Sequence, residues 1–289
     1  MGYIWNEITK WLKDLLVSGI MSNLTGLFSS VNAQVADIAD TVGMTPQGWN
    51  ASVFNMVRSL SDTVVVPIAG VILAIVMTME LIQMLIDRNN MHDFETFMFF
   101  KWIFKTAAAI LIVTNTWNIV MGVFEIAQNV VQNAAGVIIN DTAIDLNTFT
   151  ANMQTRLMAL DVGTLFGMWF QSMLIGIVSW VLTICIFVIV YGRMVEIYLV
   201  TSIAPIPMAT MSNHEWGQIG QNYLRSLFAL GFQAFLIIIC VGVYAVLVQS
   251  IAVTGDVIDS IWTCIGYTVL LCFTLFKTAS LSKSIFNAH

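Results

Sequence analysis

Five stretches of this sequence suit a helix that crosses a bilayer, which needs about 20 mostly apolar residues, the last of them short and expected to extend past Lys277. They are Val64 to Ile86, Thr106 to Ile126, Phe166 to Val190, Ser226 to Val248 and Ile261 to Phe276. Such runs cannot be tucked into a soluble core, because only 10% of the residues are charged against a soluble norm of roughly 25%. With 58% hydrophobic side chains the surface itself must be apolar, so lipid is the solvent. The expected fold class is therefore all-α: a polytopic membrane helical bundle of about five transmembrane helices, with interfacial amphipathic helices and a Pro-broken inner segment.

That broken segment is Ile197 to Met211, apolar but short, with Pro205 and Pro207 inside it. Proline removes a backbone donor and clashes with the preceding turn, so the stretch is expected to bend and not to cross. Orientation then follows from the lysines and arginines, which concentrate on the cytoplasmic side of short loops. With the N-terminus outside, the inner side holds Arg88, Lys101, Lys105, Arg193, Arg225, Lys277 and Lys283 against Asp87, Asp93, Glu95, Glu196 and Glu215, a net of +2. The outer side, with eleven acids that include Asp141, Asp145, Asp161, Asp256 and Asp259, carries −7. The expectation is a multi-pass protein of the cell membrane with its N-terminus outside and its C-terminus in the cytoplasm.

The chain divides accordingly into extracytoplasmic or interfacial amphipathic helices over 1–62 and a first transmembrane hairpin over 63–127. An outer loop over 128–165 and three further transmembrane helices over 166–289 follow, with a cytoplasmic elbow at 191–225. Tyr3 to Leu16 sets Ile4, Ile8, Trp11, Leu12 and Leu15 on one helical face, the pattern of a helix lying in the interface. Charged residues interrupt it, so no cleaved signal is expected. Thr45-Pro46 reads as an N-cap followed by proline at the first helical position. In the outer loop Phe149, Met153, Leu157 and Leu160 share a face after Asn147-Thr148, which predicts a short helix that caps the bundle or docks a partner.

Charges within a membrane cost roughly 2.5 to 3.5 kcal/mol each on insertion scales, so Glu80, Lys101 and Lys105 need partners or a purpose. If the first two spans form a hairpin turning near His92 and Asp93, Glu80 lies level with Lys105, and the two are expected to pair. Such a pair fixes hairpin packing or lines a polar pathway. Arg193 and Glu196, three apart, are expected to pair on one helix face, and with Pro205, Pro207 and Arg225 they mark the elbow as a gate or a docking point. Gly70 with Ala74, Ser172 with Gly176, and Gly231 are small residues that permit close helix approach.

Catalysis is not expected. There is no HExxH, no paired aspartate within a span, and the three histidines, His92, His214 and His289, stand apart. Cys185, Cys240, Cys264 and Cys272 lie in apolar runs without metal spacing, so neither a zinc site, another metal site nor a cofactor is expected. No basic stripe marks a nucleic-acid footprint.

The run Tyr191-Gly-Arg-Met-Val-Glu-Ile-Tyr198, then Ser202-Ile-Ala-Pro-Ile-Pro-Met-Ala209, then Gly220-Gln-Asn-Tyr-Leu-Arg-Ser-Leu227 resembles the TrbL-like conjugal-transfer proteins. These correspond to the sixth VirB subunit of type IV secretion systems. The Ala-Pro-x-Pro elbow ahead of a span with Ala229, Gly231 and Ala234 carries most of the likeness. The resemblance implies a channel or scaffold subunit of a conjugative DNA-transfer machine, assembled as a homo-oligomeric ring, a pentamer by analogy. Its implied partners are further copies of itself, other membrane subunits, an extracytoplasmic stalk subunit, separate ATPases and, as transient cargo, a DNA strand bound to its relaxase. A small-solute channel or transporter, or a membrane scaffold, is the alternative.

Overall fold

In the computed structural model, residues 2–86, 96–142, 146–253 and 257–288 are described, and among them there is no strand. Eleven α-helices account for nearly all of this: α1 (Gly2–Val42), α2 (Pro46–Trp49), α3 (Ala51–Leu60), α4 (Val66–Ile86), α5 (Thr96–Thr114), α6 (Thr116–Thr142), α7 (Leu146–Met158), α8 (Val162–Ser202), α9 (Pro205–Thr210), α10 (Gly217–Val253) and α11 (Val257–Ile285). Among the described residues five helical stretches are long and apolar enough to cross a membrane: Ala51–Ile86, Phe97–Thr114, Val162–Ser202, Gly217–Ser250 and Trp262–Ile285. The all-α, five-span expectation holds. The hairpin turn near His92 and Asp93, together with Asp87, Arg88 and Glu95, lies outside the described residues, as do Asp145 and Asp256.

Several boundaries differ from the sequence expectation, each for a local reason. Instead of one span from Thr106 to Ile126, α5 and α6 meet at Asn115. Three consecutive side chains there bond back onto the preceding turn: Thr114 to Ile110 O at 2.8 Å, Asn115 to Leu111 O at 2.9 Å and Thr116 to Ile112 O at 2.9 Å. Such back-bonding competes with the ladder and bends a helix. Much of the expected outer loop is helical, because α6 continues to Thr142 and α7 follows. On α7, Met153 and Leu157 are buried as their spacing predicts. The side chain of Phe149 is outside the described residues. A π-helical turn, Ser61–Val65, joins α3 to α4 directly before Pro67, whose missing N–H breaks the α-helical ladder at that point.

The N-terminal helix is far longer than Tyr3 to Leu16. At 41 residues α1 spans about 60 Å. Along its N-terminal part Ile4, Ile8, Trp11 and Leu15 are all exposed. Thr45 caps α2 as expected, its hydroxyl accepting from Gly48 N at 3.0 Å, with Pro46 in the first turn. The helix stops after one turn because Asn50 caps a new one, accepting from Val53 N at 3.0 Å.

The chain forms two compact units. One comprises Met1–Gly43, Val131–Val190 and Phe235–Thr278. Within it α1 meets α8 through Gly19, where an added Cβ would fall 2.6 Å from Trp169, and through Asn23, which donates to Ser172 Oγ at 2.9 Å. Gly242 of α10 packs on Ile138 of α6 as closely, and Tyr244 and Thr268 share a 2.8 Å hydroxyl bond between α10 and α11.

The other unit comprises Met44–Val130, Tyr191–Ala234 and Ala279–His289. Three apolar clusters organise it. Val120, Val123 and Phe124 pack with Met194, Ile197, Ala204, Leu227 and Leu230. Phe54, Trp117 and Tyr198 form a second cluster. Ala69, Leu73 and Met77 of α4 meet Ala109 and Val113 of α5 and Ala209 of α9 in the third. In lipid, apolar burial supplies little drive, since tails are as apolar as leucine, so close approach of small residues and polar bonds must hold such contacts. The three alanines and Gly231, whose added Cβ would lie 3.1 Å from Ala127, meet that need.

The charge count sets Pro46–Asn50 outside and 191–225 inside, yet the Tyr198 hydroxyl donates to Pro46 O, and Trp49 packs edge-on against Tyr191 with ring centroids 5.4 Å apart. Segments in contact cannot occupy opposite faces of a hydrocarbon layer about 30 Å thick. The C-terminal end of α11 joins the same level, because Lys283 pairs with Glu196 at 3.1 Å. The apolar run ends at Val190, but α8 continues as helix to Ser202, so the polar residues after Val190 do not mark a loop.

Candidate functional site

The site is built on the face of α4 that runs Ala69, Leu73, Met77, Glu80, one helical ridge that points into the second unit. Glu80 is 9% exposed. On α5 the ridge Lys105, Ala109, Val113 faces it, and the Lys105 ammonium donates to Glu80 Oε1. One turn before Lys105, Trp102 donates from its indole N–H to Met77 O at 3.0 Å, which fixes the register of the two helices. The structure thus brings together the two charges that the sequence set level.

A third partner comes from far along the chain. Asn213 Nδ2 donates to the other Glu80 oxygen, Oε2, at 3.0 Å. The Asn213 carboxamide oxygen accepts from Glu215 N at 2.8 Å and Trp216 N at 3.0 Å, which caps the turn entering α10. The buried carboxylate therefore has both oxygens bonded, as desolvated charge requires. Asn213 escapes sequence reading because an asparagine in a turn carries no charge to account for. Its signal is the Asn-x-x-x-Gly spacing to Gly217, which suits a cap and says nothing of Glu80.

The prolines place Asn213. Pro205 and Pro207 sit in the first turn of α9, where backbone N–H groups have no helical partner and nothing is lost. Neither can donate back to α8, so α8 ends at Ser202, and the chain continues through Ala204 N to Thr201 O at 3.2 Å and Ile206 N to Ile203 O at 3.1 Å. Both prolines are buried, and α9 lies against the first hairpin through Ile206 and Ala209. The return into α10 is tight: a Cβ at Gly220 would stand 2.6 Å from Pro207 O and closer still to the Met211 side chain. The elbow proper is 203–216, shorter than the 191–225 expected.

Other expected contacts differ. Arg193 is buried and does not pair with Glu196. Its Nε donates to Leu230 O at 3.2 Å and its Nη2 reaches Gly231 O at 3.5 Å, while Glu196 takes Lys283. Helix α10 passes close enough, by way of Gly231, to offer its carbonyls to the guanidinium, whereas Glu196 faces the end of α11. Arg225 is exposed on α10. Gly70 and Ala74 face outward with nothing near Gly70, so Ala69 and Leu73, one residue before each, pack the hairpin instead. Ser172 is buried as a packing residue, but Gly176 is exposed and touches nothing. Of the cysteines only Cys264 is fully buried, and all four are free.

The first unit holds a groove of about 750 Å³ between α1 and α7, where Ser18, Ser22, Ser29 and Gln154 share the walls with Met21 and Met158. Its α1 side continues, at the same three-and-four spacing, the exposed seam of Ile4, Ile8, Trp11 and Leu15. Beyond α7, Asp161 caps α8, accepting from Thr164 Oγ1 at 2.5 Å and Thr164 N at 3.0 Å. The Thr164 hydroxyl and then its backbone N–H hold this carboxyl below the usual aspartate range. Among the described residues no group of three or more histidine, cysteine, aspartate or glutamate side chains is placed to hold a metal ion.

Five apolar helices, an ion-paired carboxylate buried in the first hairpin and a proline-broken segment folded back on that hairpin define a polytopic integral membrane protein with an internal polar centre. The chain belongs to the TrbL/VirB6 plasmid conjugal transfer like protein family, whose profile it matches over residues 31–205. It is thus a membrane component of a conjugal-transfer system. The match includes Tyr191 to Tyr198 and ends within the Ala-Pro-Ile-Pro run, so Gly220 to Leu227 lies beyond it. No curated protein and no solved structure gives a significant match.

Proposed function

We propose that this chain is a channel-forming or channel-scaffolding subunit of a conjugative type IV secretion complex, that it hydrolyses nothing itself, and that it acts as a homo-oligomeric ring, five-fold by analogy with its family. The observation that carries this reading is the Glu80–Lys105 pair, held inside an apolar hairpin of a conjugal-transfer family member. Intramembrane charge is costly and marks pathways or interfaces more often than plain packing. Lys101 and Lys105 near the hairpin turn favour a cytoplasmic position for that end. The groove between α1 and α7, with hydroxyl and apolar side chains on its walls, suits docking of a stalk subunit, and the turn 211–216, with His214, Glu215 and Trp216 exposed, suits contact with an ATPase. A DNA strand with its relaxase would be transient cargo.

The test is the mass and symmetry of the purified chain in lipid nanodiscs, together with conjugative transfer from donors carrying Glu80→Lys at normal protein levels. A closed ring and lost transfer support the proposal. A stable monomer with undiminished transfer overturns it and leaves the scaffold reading. Uptake of a small solute by proteoliposomes would favour a transporter instead.

A further inference from the structure

Asn213 performs two separable tasks with the two ends of one carboxamide. Its oxygen caps the entry to α10 through Glu215 N and Trp216 N, and its nitrogen donates to Glu80 Oε2, 133 positions earlier in the chain. The backbone of Asn213 adds a third tie, accepting from Gly217 N at 3.0 Å. The side chain is 6% exposed, so water does not replace a lost partner at no cost. Elsewhere in the turn 211–216 the side chains of His214, Glu215 and Trp216 are exposed, and those of Met211 and Ser212 are half-buried.

We infer that Asn213 is a positioning residue that tethers the turn 211–216 to the intramembrane carboxylate, so that the position of this turn reports the bonding state of Glu80. The cap alone does not give that result. A capping asparagine stabilises its own helix end whatever lies beside it, whereas the tether makes the turn sensitive to a residue on α4. Because Lys105 holds the first Glu80 oxygen, the second is free to orient toward Asn213, and the three side chains form one chain of donors and acceptors. Whatever competes with Asn213 for that second oxygen releases the turn without unfolding α10.

The polarity of the tether can be reversed. Asn213→Asp is isosteric and keeps a capping oxygen, but it sets a carboxylate oxygen against Glu80 in place of a donor. Glu80→Gln combined with Asn213→Asp restores the bond in the opposite sense. The introduced amide on α4 still accepts from Lys105 through its oxygen, and its nitrogen donates to the introduced carboxylate in the turn. The readout is hydrogen–deuterium exchange at the amides of Glu215, Trp216 and Gly217 in the full chain in nanodiscs. Asn213→Asp should raise exchange there about tenfold, and the double variant should return it to within about twofold of the parent. Asn213→Ser, which can cap but is too short to reach Glu80, adds no charge and should also loosen the turn. Parent-like exchange in Asn213→Ser, or a double variant that exchanges as fast as Asn213→Asp, overturns the inference. Exchange is read independently of transfer, so a chain that proved to be a scaffold would still show the tether, and a channel without it would not.

Discussion

The Tyr198 hydroxyl donates to the Pro46 carbonyl at 2.6 Å, joining α8 to the first turn of α2 across 152 positions of sequence. Asn50 O lies 3.4 Å from the same hydroxyl, and Trp49 packs on the ring with centroids 5.9 Å apart. With Glu196 of the same helix stretch paired to Lys283, α2 and the end of α11 share one level of the second unit.

Cysteines placed at Gln47 and Ser284, both exposed, are therefore expected to react with a membrane-impermeant maleimide from the same side of the membrane. The charge count alone predicts opposite sides. Labelling of intact cells against inverted vesicles distinguishes the two, and opposite-side labelling would contradict the α2–α8 contact.

Removing one partner of the Glu80–Lys105 pair leaves the other charge poorly solvated. Because Lys105 keeps about a third of its side chain exposed, Glu80→Ala should cost about 2 kcal/mol, below the roughly 3–5 kcal/mol typical when a fully buried pair is broken. Thermal unfolding in detergent reads this. Glu80→Lys with Lys105→Glu should be more stable than either single change. If it is no better, the pair does not hold the hairpin.

Glycines on these helices should separate by what surrounds them. Gly220→Ala forces a methyl against Pro207 O and should destabilise by about 1–3 kcal/mol through overpacking. Gly176→Ala meets nothing and should be neutral or stabilising by about 0.5–1 kcal/mol, the ordinary helix preference for alanine. Melting temperatures of the two variants against the parent give the comparison.

The lowered pKa of Asp161 ties the start of α8 to pH. A carboxyl whose folded pKa lies below its unfolded value stabilises fully above the unfolded value, near 3.8, and loses that contribution as pH falls through the folded one. Amide exchange at Thr164 and Leu165 should therefore quicken in acid below the usual aspartate range. Asp161→Asn, which keeps a capping oxygen, should remove that pH dependence, and an unchanged profile would show that the cap carries none of it.

By itself the sequence determined the solvent and the number of spans, because apolar runs of membrane length leave a helix no other way to satisfy its backbone. It also set Glu80 level with Lys105, since a hairpin folds residues back at fixed rise, and it marked the break at Pro205 and Pro207, since a missing N–H is a local fact. The resemblance likewise rested on residues readable in order. Long-range partner choice was not legible. Arg193 and Glu196 lie three apart on one helix, but their partners come from α10 and α11, and which carbonyl or ammonium reaches them depends on how closely Gly231 lets α10 approach Ala127. Asn213 reaches Glu80 only because two buried prolines fold α9 against the first hairpin. The full reach of α8 was not legible either: the apolar run stops at Val190, whereas the helix carries 191–202 onward into contact with Pro46. Local propensity and period are properties of neighbouring residues; a partner 133 or 152 positions away is fixed only when packing closes the distance.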